Sequence, residues 1–494
     1  MRTANSGPPA GRPAGASQDG LVDAQAKSRG RFVAWSVLVL TGGWVTFIWT
    51  YRFLPMHDYP MWIYAGRVCS QLIRKQAAPC YRIIPWPVPN ALFVGVTGLL
   101  DLLLAPETSG KIYLSFSVVL FALGSYRLIG SITTRRDSPL FLLPLFYVFH
   151  RNVWMGEIGF AFSLGILFVA LAHVLTPRDR LRAKDLWLIA GFSLLIFFSH
   201  AISYFCWLIF LTLLAVFDSP RFPRSKALLA VSPSLLLMAL YLLHREHSGA
   251  RSAVSWFSVD LRSKLAFFSI FSPLHFFEPF YWSDPEPLKL FATVFNLSVV
   301  TVVLTLVALW VWSLAGHTHS FVFPNGSARA LAVAPLVFFL VFLVAPFQAA
   351  TGIQDINQRF VLPAFILMLA SLAANRPRRL PEGARRALTL VVAAAATIVL
   401  AFQYFYVGRI AHKLQGVYDV ISQAHLSSDF RDVAENELEH SERLAPPGPS
   451  GPRLLPMHEA LGYFAQYLRL DQQTCIPIFS KTALSELRSP IVPC

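Results

Sequence analysis

Long apolar runs, separated by short polar or basic stretches, dominate the chain from residue 33 to residue 406. A helix of about 20 apolar residues is long enough to cross a hydrocarbon core about 30 Å thick. The pattern therefore predicts an all-α fold, a polytopic bundle of transmembrane helices. Twelve apolar segments are predicted, at 33–54, 88–104, 111–131, 138–149, 157–176, 186–199, 201–217, 227–243, 288–314, 329–347, 359–374 and 387–406.

Lys and Arg residues concentrate in alternate connections between these segments. The basic connections are 1–32, 132–137, 177–185, 220–226 and 375–386. Because short cytoplasmic loops carry an excess of Lys and Arg, these connections and the N-terminus are predicted to face the cytoplasm. The loops 55–87 and 244–287 and the C-terminus then lie on the extracytoplasmic side.

The number of segments conflicts with this orientation, since termini on opposite sides require an odd number of crossings. Two segments are the weakest candidates for crossing. The run 88–104 follows a Pro-rich stretch and carries Asp101, and the run 138–149 is short. Treating 88–104 as re-entrant predicts about eleven crossings and agrees with every basic loop.

Three domains are predicted from the same pattern. A flexible basic cytoplasmic tail at 1–32 precedes the membrane domain at 33–406, and an extracytoplasmic tail follows at 407–494. This tail has a hinge at 445–452, where Pro and Gly residues exclude a helix. We interpret the first apolar run as a signal anchor, because it has spanning length and follows a polar segment.

Composition supports a membrane protein and indicates which class of partner to expect. Hydrophobic residues make up 55% of the chain and charged residues only 14%, whereas soluble domains carry about 25% charged residues. The formal charge of +15 resides largely in loops, where it sets orientation. The predicted partner is therefore the lipid bilayer, and no nucleic acid is expected.

The cysteines allow two alternatives, and the sequence lacks the short motifs of several enzyme classes. Two cysteine pairs, Cys69 with Cys80 and Cys475 with Cys494, either form disulfides in an oxidising compartment or remain free thiols. The sequence has no P-loop, no Gly-x-Gly-x-x-Gly, no Gly-x-Ser-x-Gly and no His-Glu-x-x-His. The sequence therefore contains no motif that supports an ATPase, dinucleotide-binding, hydrolase or zinc-protease function.

The residues with the greatest chemical interest directly follow the first apolar segment. His57 and Asp58 precede an amphipathic run that begins near Trp62 and is suited to lie on the membrane surface. This arrangement puts a carboxylate at the level of the lipid headgroups, where it is predicted to act in catalysis. The alternative is that Asp58 only caps the following helix, with Pro60 in its first turn.

Further polar residues stand at the predicted outer ends of later helices. Glu157 belongs to the sequence Gly156-Glu157-Ile158-Gly159-Phe160, His200 separates two short apolar segments, and Asp355 precedes Arg359. Each has a structural alternative. Glu157 would cap a helix, His200 would occupy a turn, and Arg359 would anchor a helix end at the interface.

This layout of residues resembles the GT-C superfamily of integral membrane glycosyltransferases, which includes protein mannosyltransferases and the aminoarabinose transferases of lipid A. The resemblance covers roughly residues 33–406. It implies transfer of a sugar from a polyprenyl-phosphate donor to an acceptor on the extracytoplasmic face, often with a divalent metal. It also implies a multi-pass protein of the bacterial inner membrane.

The resemblance assigns roles to the candidate residues by matched position. Asp58 becomes the catalytic base or a metal ligand. Many relatives carry two acidic residues in the first outer loop, whereas this chain has His57 beside Asp58. The second acid is therefore predicted at Glu157, with Asp355 as the next choice.

The remaining candidates are predicted to bind substrate. Arg151 and Arg359 are expected to clamp phosphate oxygens, since the Arg fork matches phosphate geometry. His57, His200 and Asp355 complete the predicted substrate-binding set.

Two other functions remain open from the sequence. A transporter or flippase of a lipid-linked intermediate needs ionisable groups or broken helices near the bilayer midplane, often in two related halves. The sequence has no such halves. A non-catalytic membrane subunit would bind a partner through the tail 407–494, which contains an acidic stretch between Asp429 and Glu442.

Overall fold

The computed structural model describes most of the membrane domain. The described residues are 16–52, 54–56, 58–76, 81–83, 87–133, 136–176, 181–247, 271–274, 285–314, 326–345, 356–374, 381–424 and 491–493. His57, Asp355, Cys80, the second cysteine pair, the 445–452 hinge and most of the 244–287 loop lie outside them.

The described residues are almost entirely helical. The α-helices are α1 (Ala16–Thr50), α2 (Tyr59–Ile73), α3 (Ala91–Leu100), α4 (Pro106–Gly130), α5 (Arg151–Trp154), α6 (Ile158–Leu175), α7 (Ala183–Ser199), α8 (Ala201–Phe217), α9 (Arg224–His247), α10 (Glu286–Leu314), α11 (Gly326–Val344), α12 (Val361–Ala374) and α13 (Glu382–Ala424). Three 3-10 turns lie at Pro139–Phe141, Leu143–Tyr147 and Asn357–Phe360. Two short strands, β1 (Tyr81–Ile83) and β2 (Ile491–Pro493), pair antiparallel with Arg82 opposite Val492.

Eight helices among the described residues are long and apolar enough to cross a membrane. They lie at Gly30–Thr50, Pro106–Gly130, Ile158–Leu175, Arg224–Leu243, Glu286–Leu314, Gly326–Val344, Asn357–Ala374 and Glu382–His412. These helices confirm the predicted helical membrane architecture. The number of eleven crossings and the sides on which the termini lie remain predictions.

The first and last helices extend beyond their predicted ends. Helix α1 begins at Ala16, so the second half of the segment predicted as a flexible tail is helical. Helix α13 runs to Ala424, so the predicted tail begins inside a helix. The two helices lie side by side, with Tyr51 donating a hydrogen bond to the carbonyl of Tyr404 at 2.7 Å.

Helices α4 and α6 run parallel and in close contact. Tyr113 and Phe121 of α4 face Phe162 and Phe168 of α6, with ring centroids 4.6 Å and 5.6 Å apart respectively. A side chain at Gly165 would meet the α4 backbone at 2.8 Å, so glycine is required for this approach. Because the two helices point the same way, the chain between them must return along the length of the bundle.

This return is made without a continuous helix. The predicted segment 138–149 forms the turns Pro139–Phe141 and Leu143–Tyr147, because Pro139 and Pro144 remove amide donors and disfavour an α-helix. Residues 141–149 are buried apart from Leu143. Irregular backbone at membrane depth is tolerated only where protein or water surrounds it, and here the surrounding helices provide that cover.

Helices α2 and α3 form a separate layer over the start of α4. Gly66 of α2 lies against Thr97 of α3, and Gly98 lies against the side chain of Cys69. Cys69 is a free, buried thiol in this contact, and its predicted partner Cys80 lies outside the described residues. With ten residues, α3 is too short to span a bilayer. Its length agrees with the prediction that the run 88–104 does not cross.

Candidate functional site

A pocket open to solvent lies where several helices begin or end. Four predicted site residues, Asp58, Glu157, His200 and Arg359, lie in its wall. They come from the start of α2, the start of α6, the turn between α7 and α8, and the 3-10 turn before α12. The other lining residues are Trp62, Asn90, Phe93, Gly159 and Phe160.

Asp58 is positioned by a backbone contact with the turn before α6. Its amide donates a hydrogen bond to the carbonyl of Met155 at 3.2 Å. Gly156 has φ +82°, and a Cβ atom there would lie 2.5 Å from the amide nitrogens of Asp58 and Tyr59. Only glycine combines this left-handed conformation with such a close approach.

The Asp58 side chain makes no capping hydrogen bond to α2, although Asp58 occupies the N-cap position. The alternative interpretation, that this carboxylate serves only as a helix cap, is therefore wrong. The carboxylate instead belongs to the wall of the pocket.

Glu157 likewise occupies an N-cap position without capping its helix. Its Oε1 atom forms an ion pair with Arg359, and its Oε2 atom accepts a hydrogen bond from the Asn152 amide at 3.0 Å. The Arg359 side chain is 6% exposed and that of Glu157 is 16% exposed. Arg359 is thus a buried cation with a fixed counter-charge, rather than an interfacial anchor for a helix end.

His200 combines a structural contact with a contact in the site. Its Nδ1 atom accepts a hydrogen bond from the amide of Ile202 at 3.2 Å and so caps α8. Its Nε2 atom lies 3.0 Å from Nη1 of Arg359. A neutral imidazole accepts a hydrogen bond at one nitrogen only, so the cap on Ile202 and a hydrogen bond from Arg359 require different tautomers. The geometry places His200 both in its predicted turn and in the pocket wall.

Arg359 is held from three directions. Glu157 and His200 contact its guanidinium, and the Phe160 ring lies 5.9 Å from its Cζ atom. A cation over an aromatic face gains electrostatic attraction from the ring quadrupole. The guanidinium is thereby fixed in one orientation at the edge of the pocket.

The other predicted substrate-binding residues are not among the described residues that line the pocket. Arg151 is not among the residues that line the pocket. It donates to the side chain of Gln358, the residue before Arg359. His57 and Asp355 lie outside the described residues.

The pocket lining also includes aromatic residues and an unusual asparagine. Trp62 and Phe93 pack edge to face, with centroids 6.2 Å apart. Asn90 has φ +72° at the N-cap of α3, yet its side chain makes no capping hydrogen bond. Its Oδ1 atom is buried and accepts no hydrogen bond from the described residues. Such an unpaired buried group costs about 1–3 kcal/mol.

A further carboxylate, Asp101, is buried outside the pocket, at the other end of α3 from Asn90. Asp101 is 2% exposed. Burial raises the pKa of Asp101 to about 6, while the nearby charges of Arg67 and Arg74 act in the opposite direction. Asp101 is thus the titratable group of this layer whose protonation state changes in mildly acidic conditions.

A divalent metal, which the family resemblance implies, does not fit the described donor set. Both oxygens of Glu157 are taken by Arg359 and Asn152. No group of three or more His, Cys, Asp or Glu residues in the described ranges is suitably placed to hold a metal ion. We therefore derive no chemical step through a metal.

Sequence reasoning missed Asn90 and Phe93. Phe93 is one aromatic residue within an apolar run, and nothing in its pattern distinguishes it. Asn90 had a weak signal, because a Pro-Asn pair before a helix is typical of a turn. Its left-handed backbone becomes visible only in the structure.

Comparison of the chain with family models, curated proteins and solved structures finds no match.

Proposed function

We propose that this protein is a membrane glycosyltransferase that moves a sugar from a polyprenyl-phosphate donor to an acceptor hydroxyl on the extracytoplasmic face. The observation that carries the proposal is the pocket that both Asp58 and the buried cation Arg359 line. A carboxylate and a cation are the two groups that such a transfer needs.

Asp58 is assigned as the general base. The acceptor oxygen attacks the anomeric carbon, the bond from that carbon to the phosphate oxygen breaks, and polyprenyl phosphate leaves. The acceptor proton passes to the Asp58 carboxylate, a type of assistance that contributes about 10²–10⁴-fold to rate.

Arg359 is assigned to the leaving phosphate. A guanidinium fixed before the reaction stabilises charge that develops on the phosphate oxygens without reorganising during the step. Glu157 was predicted as the second acid. Its ion pair with Arg359 favours a positioning role, in which Glu157 and His200 hold the guanidinium.

The position of the pocket suits a lipid-linked donor. Asp58 follows the end of the candidate span Gly30–Thr50 by eight residues. A site at this height is reachable from the headgroup region, while the isoprenoid chain remains in the hydrocarbon layer.

A transporter or flippase is the second candidate, and one observation favours it. The chain between α4 and α6 is broken into short turns, and discontinuous segments at membrane depth are typical of transporters. The pocket at the helix ends, rather than at mid-span, favours the enzyme.

The test is label transfer from radiolabelled polyprenyl-phosphate sugars in membranes that contain wild type, Asp58→Asn or Glu286→Gln. Glu286 is a matched control because its side chain is 84% exposed, away from the pocket. We expect Asp58→Asn to lower transfer by about 10²–10⁴-fold and Glu286→Gln to leave it unchanged.

Full transfer by Asp58→Asn at equal protein level would remove Asp58 from catalysis. If wild type consumes no donor but moves a lipid-linked sugar across proteoliposome membranes, the transporter replaces the enzyme.

A further inference from the structure

Asn90 and Trp62 face the same pocket as Asp58, but the proposed transfer step gives them no role. Asn90 is one of two non-glycine residues with positive φ in the described ranges, the other being the exposed Lys75 at φ +58°. Strained backbone and unpaired polar atoms persist mainly where function requires them. Asn90 has both a positive φ and a buried Oδ1 atom without a hydrogen-bond partner among the described residues.

The chemistry of this wall is amphipathic. Trp62 is partly buried and packs against Phe93, so the two rings offer an apolar surface to the pocket. The Asn90 amide both accepts and donates hydrogen bonds. A ligand that matches both groups has an apolar face and hydroxyl groups at its edge, as a sugar ring has.

We infer that Asn90 and Trp62 form the subsite for the glycosyl ring of the donor. The apolar face of the ring stacks on Trp62, and a ring hydroxyl oxygen accepts a hydrogen bond from the Nδ2 group of Asn90, whose Oδ1 atom is buried. This inference rests on the proposed function and adds to it the group that recognises the sugar. Asn90 and Trp62 then set sugar specificity, while Asp58 and Arg359 act on the bonds that change.

The variant Asn90→Gly tests the subsite without straining the backbone. Glycine adopts positive φ at no steric cost, so the turn before α3 is retained while the amide is removed. Lys75→Gly is the matched control. It replaces another positive-φ residue, at the end of α2, which does not line the pocket.

The first readout is binding to the purified full chain in detergent, with polyprenyl phosphate, polyprenyl-phosphate glucose and polyprenyl-phosphate mannose as probes. We expect wild type and Lys75→Gly to bind at least one sugar-bearing lipid about tenfold more tightly than the bare phosphate, and Asn90→Gly to lose this difference. The inference is overturned if wild type binds all three lipids equally. It is also overturned if Asn90→Gly keeps the difference or weakens all three alike.

The second readout is steady-state transfer with the donor that wild type consumes. We expect Asn90→Gly to raise KM for the donor about tenfold with kcat nearly unchanged, because the hydrogen bond is made equally in ground and transition states. A fall in kcat alone contradicts the subsite. Absence of transfer by wild type counts against the proposed function, whereas the binding comparison still decides the role of Asn90.

Discussion

The two ends of the bundle use polar residues in different ways. At the end away from the pocket, charged side chains close the ends of helices. Arg221 donates to the backbone carbonyls of Val174 and Thr176 at the end of α6. Asp185 accepts from the amide of Arg182 at 2.9 Å and so satisfies the N-cap amide at the start of α7.

At the pocket end, His200 caps α8, but three other N-cap residues do not cap their helices. Asp58, Glu157 and Asn90 all occupy N-cap positions, and none makes a side-chain capping hydrogen bond. Capping contributes about 1 kcal/mol per helix, and the pocket end forgoes this stabilisation at three helices. Polar residues that stabilise one end of the fold surround an open space at the other, which is the distribution expected of a functional site.

The largest loss of stability is expected from Glu157→Gln, which tests the difference between the two ends of the bundle. The substitution leaves the buried guanidinium of Arg359 without its counter-charge, which costs about 3–5 kcal/mol of stability. The midpoint of thermal unfolding in detergent measures the loss. The double variant Glu157→Gln with Arg359→Gln is expected to recover most of it, because no unpaired charge remains.

The control is Glu382→Gln in the exposed pair with Arg386, whose side chains are 44% and 57% exposed. An exposed pair contributes about 0–1 kcal/mol, so this variant should unfold near the wild-type temperature. Equal unfolding midpoints for Glu157→Gln and Glu382→Gln would contradict the stabilising role of the buried pair.

The next largest effect is a pH dependence of the free energy of unfolding, and it arises from Asp101. Its pKa is raised to about 6 from the ordinary value of about 3.9, so the folded state favours the protonated acid. The contribution of Asp101 to stability is therefore full below about pH 4 and is lost as pH rises through about 6. Two pKa units correspond to about 3 kcal/mol.

Unfolding midpoints between pH 4 and pH 8 measure this contribution. Asp101→Asn is neutral at every pH, so we expect it to remove the pH-dependent loss and to be the more stable form at pH 8. A wild type and variant whose midpoints change in parallel would show that burial of Asp101 does not control stability in this range.

A smaller loss of stability is expected from Gly156→Ala. Positive φ costs a non-glycine residue about 1–2 kcal/mol, and the new Cβ atom would also press on the backbone at Asp58. Gly191→Ala in α7 is the control, since no atom lies within 4 Å of its added Cβ, and it should stabilise by about 0.5–1 kcal/mol. Unfolding midpoints and label transfer separate the two variants. Unchanged transfer by Gly156→Ala would show that the close turn does not position Asp58.

The sequence was sufficient to predict a helical membrane protein because spanning helices carry a strong local signal. Continuous apolar runs predicted the candidate spans, and the break before Val88 predicted that the run 88–104 is not an ordinary crossing. The segment 138–149 was less predictable. Its short length indicated that it is a weak candidate for a crossing, but its burial depends on packing against the surrounding helices, which no local pattern records.

The site was predictable to the extent that it consists of charged residues at helix ends. Asp58, Glu157, His200 and Arg359 stood out because ionisable residues are rare in this chain, and they line one pocket. The pairing of Glu157 with Arg359 joins residues about 200 positions apart and needs the three-dimensional fold. The backbone conformations of Gly156 and Asn90 likewise come from contacts between separate elements.

The broken return between α4 and α6 has a consequence for biogenesis. Taken alone, the stretch 139–154 has too little helix to pair its own amide and carbonyl groups in lipid. It gains that protection only after α6 has been synthesised and has packed beside α4. We therefore expect helices α4 to α6 to insert into the membrane as a single unit.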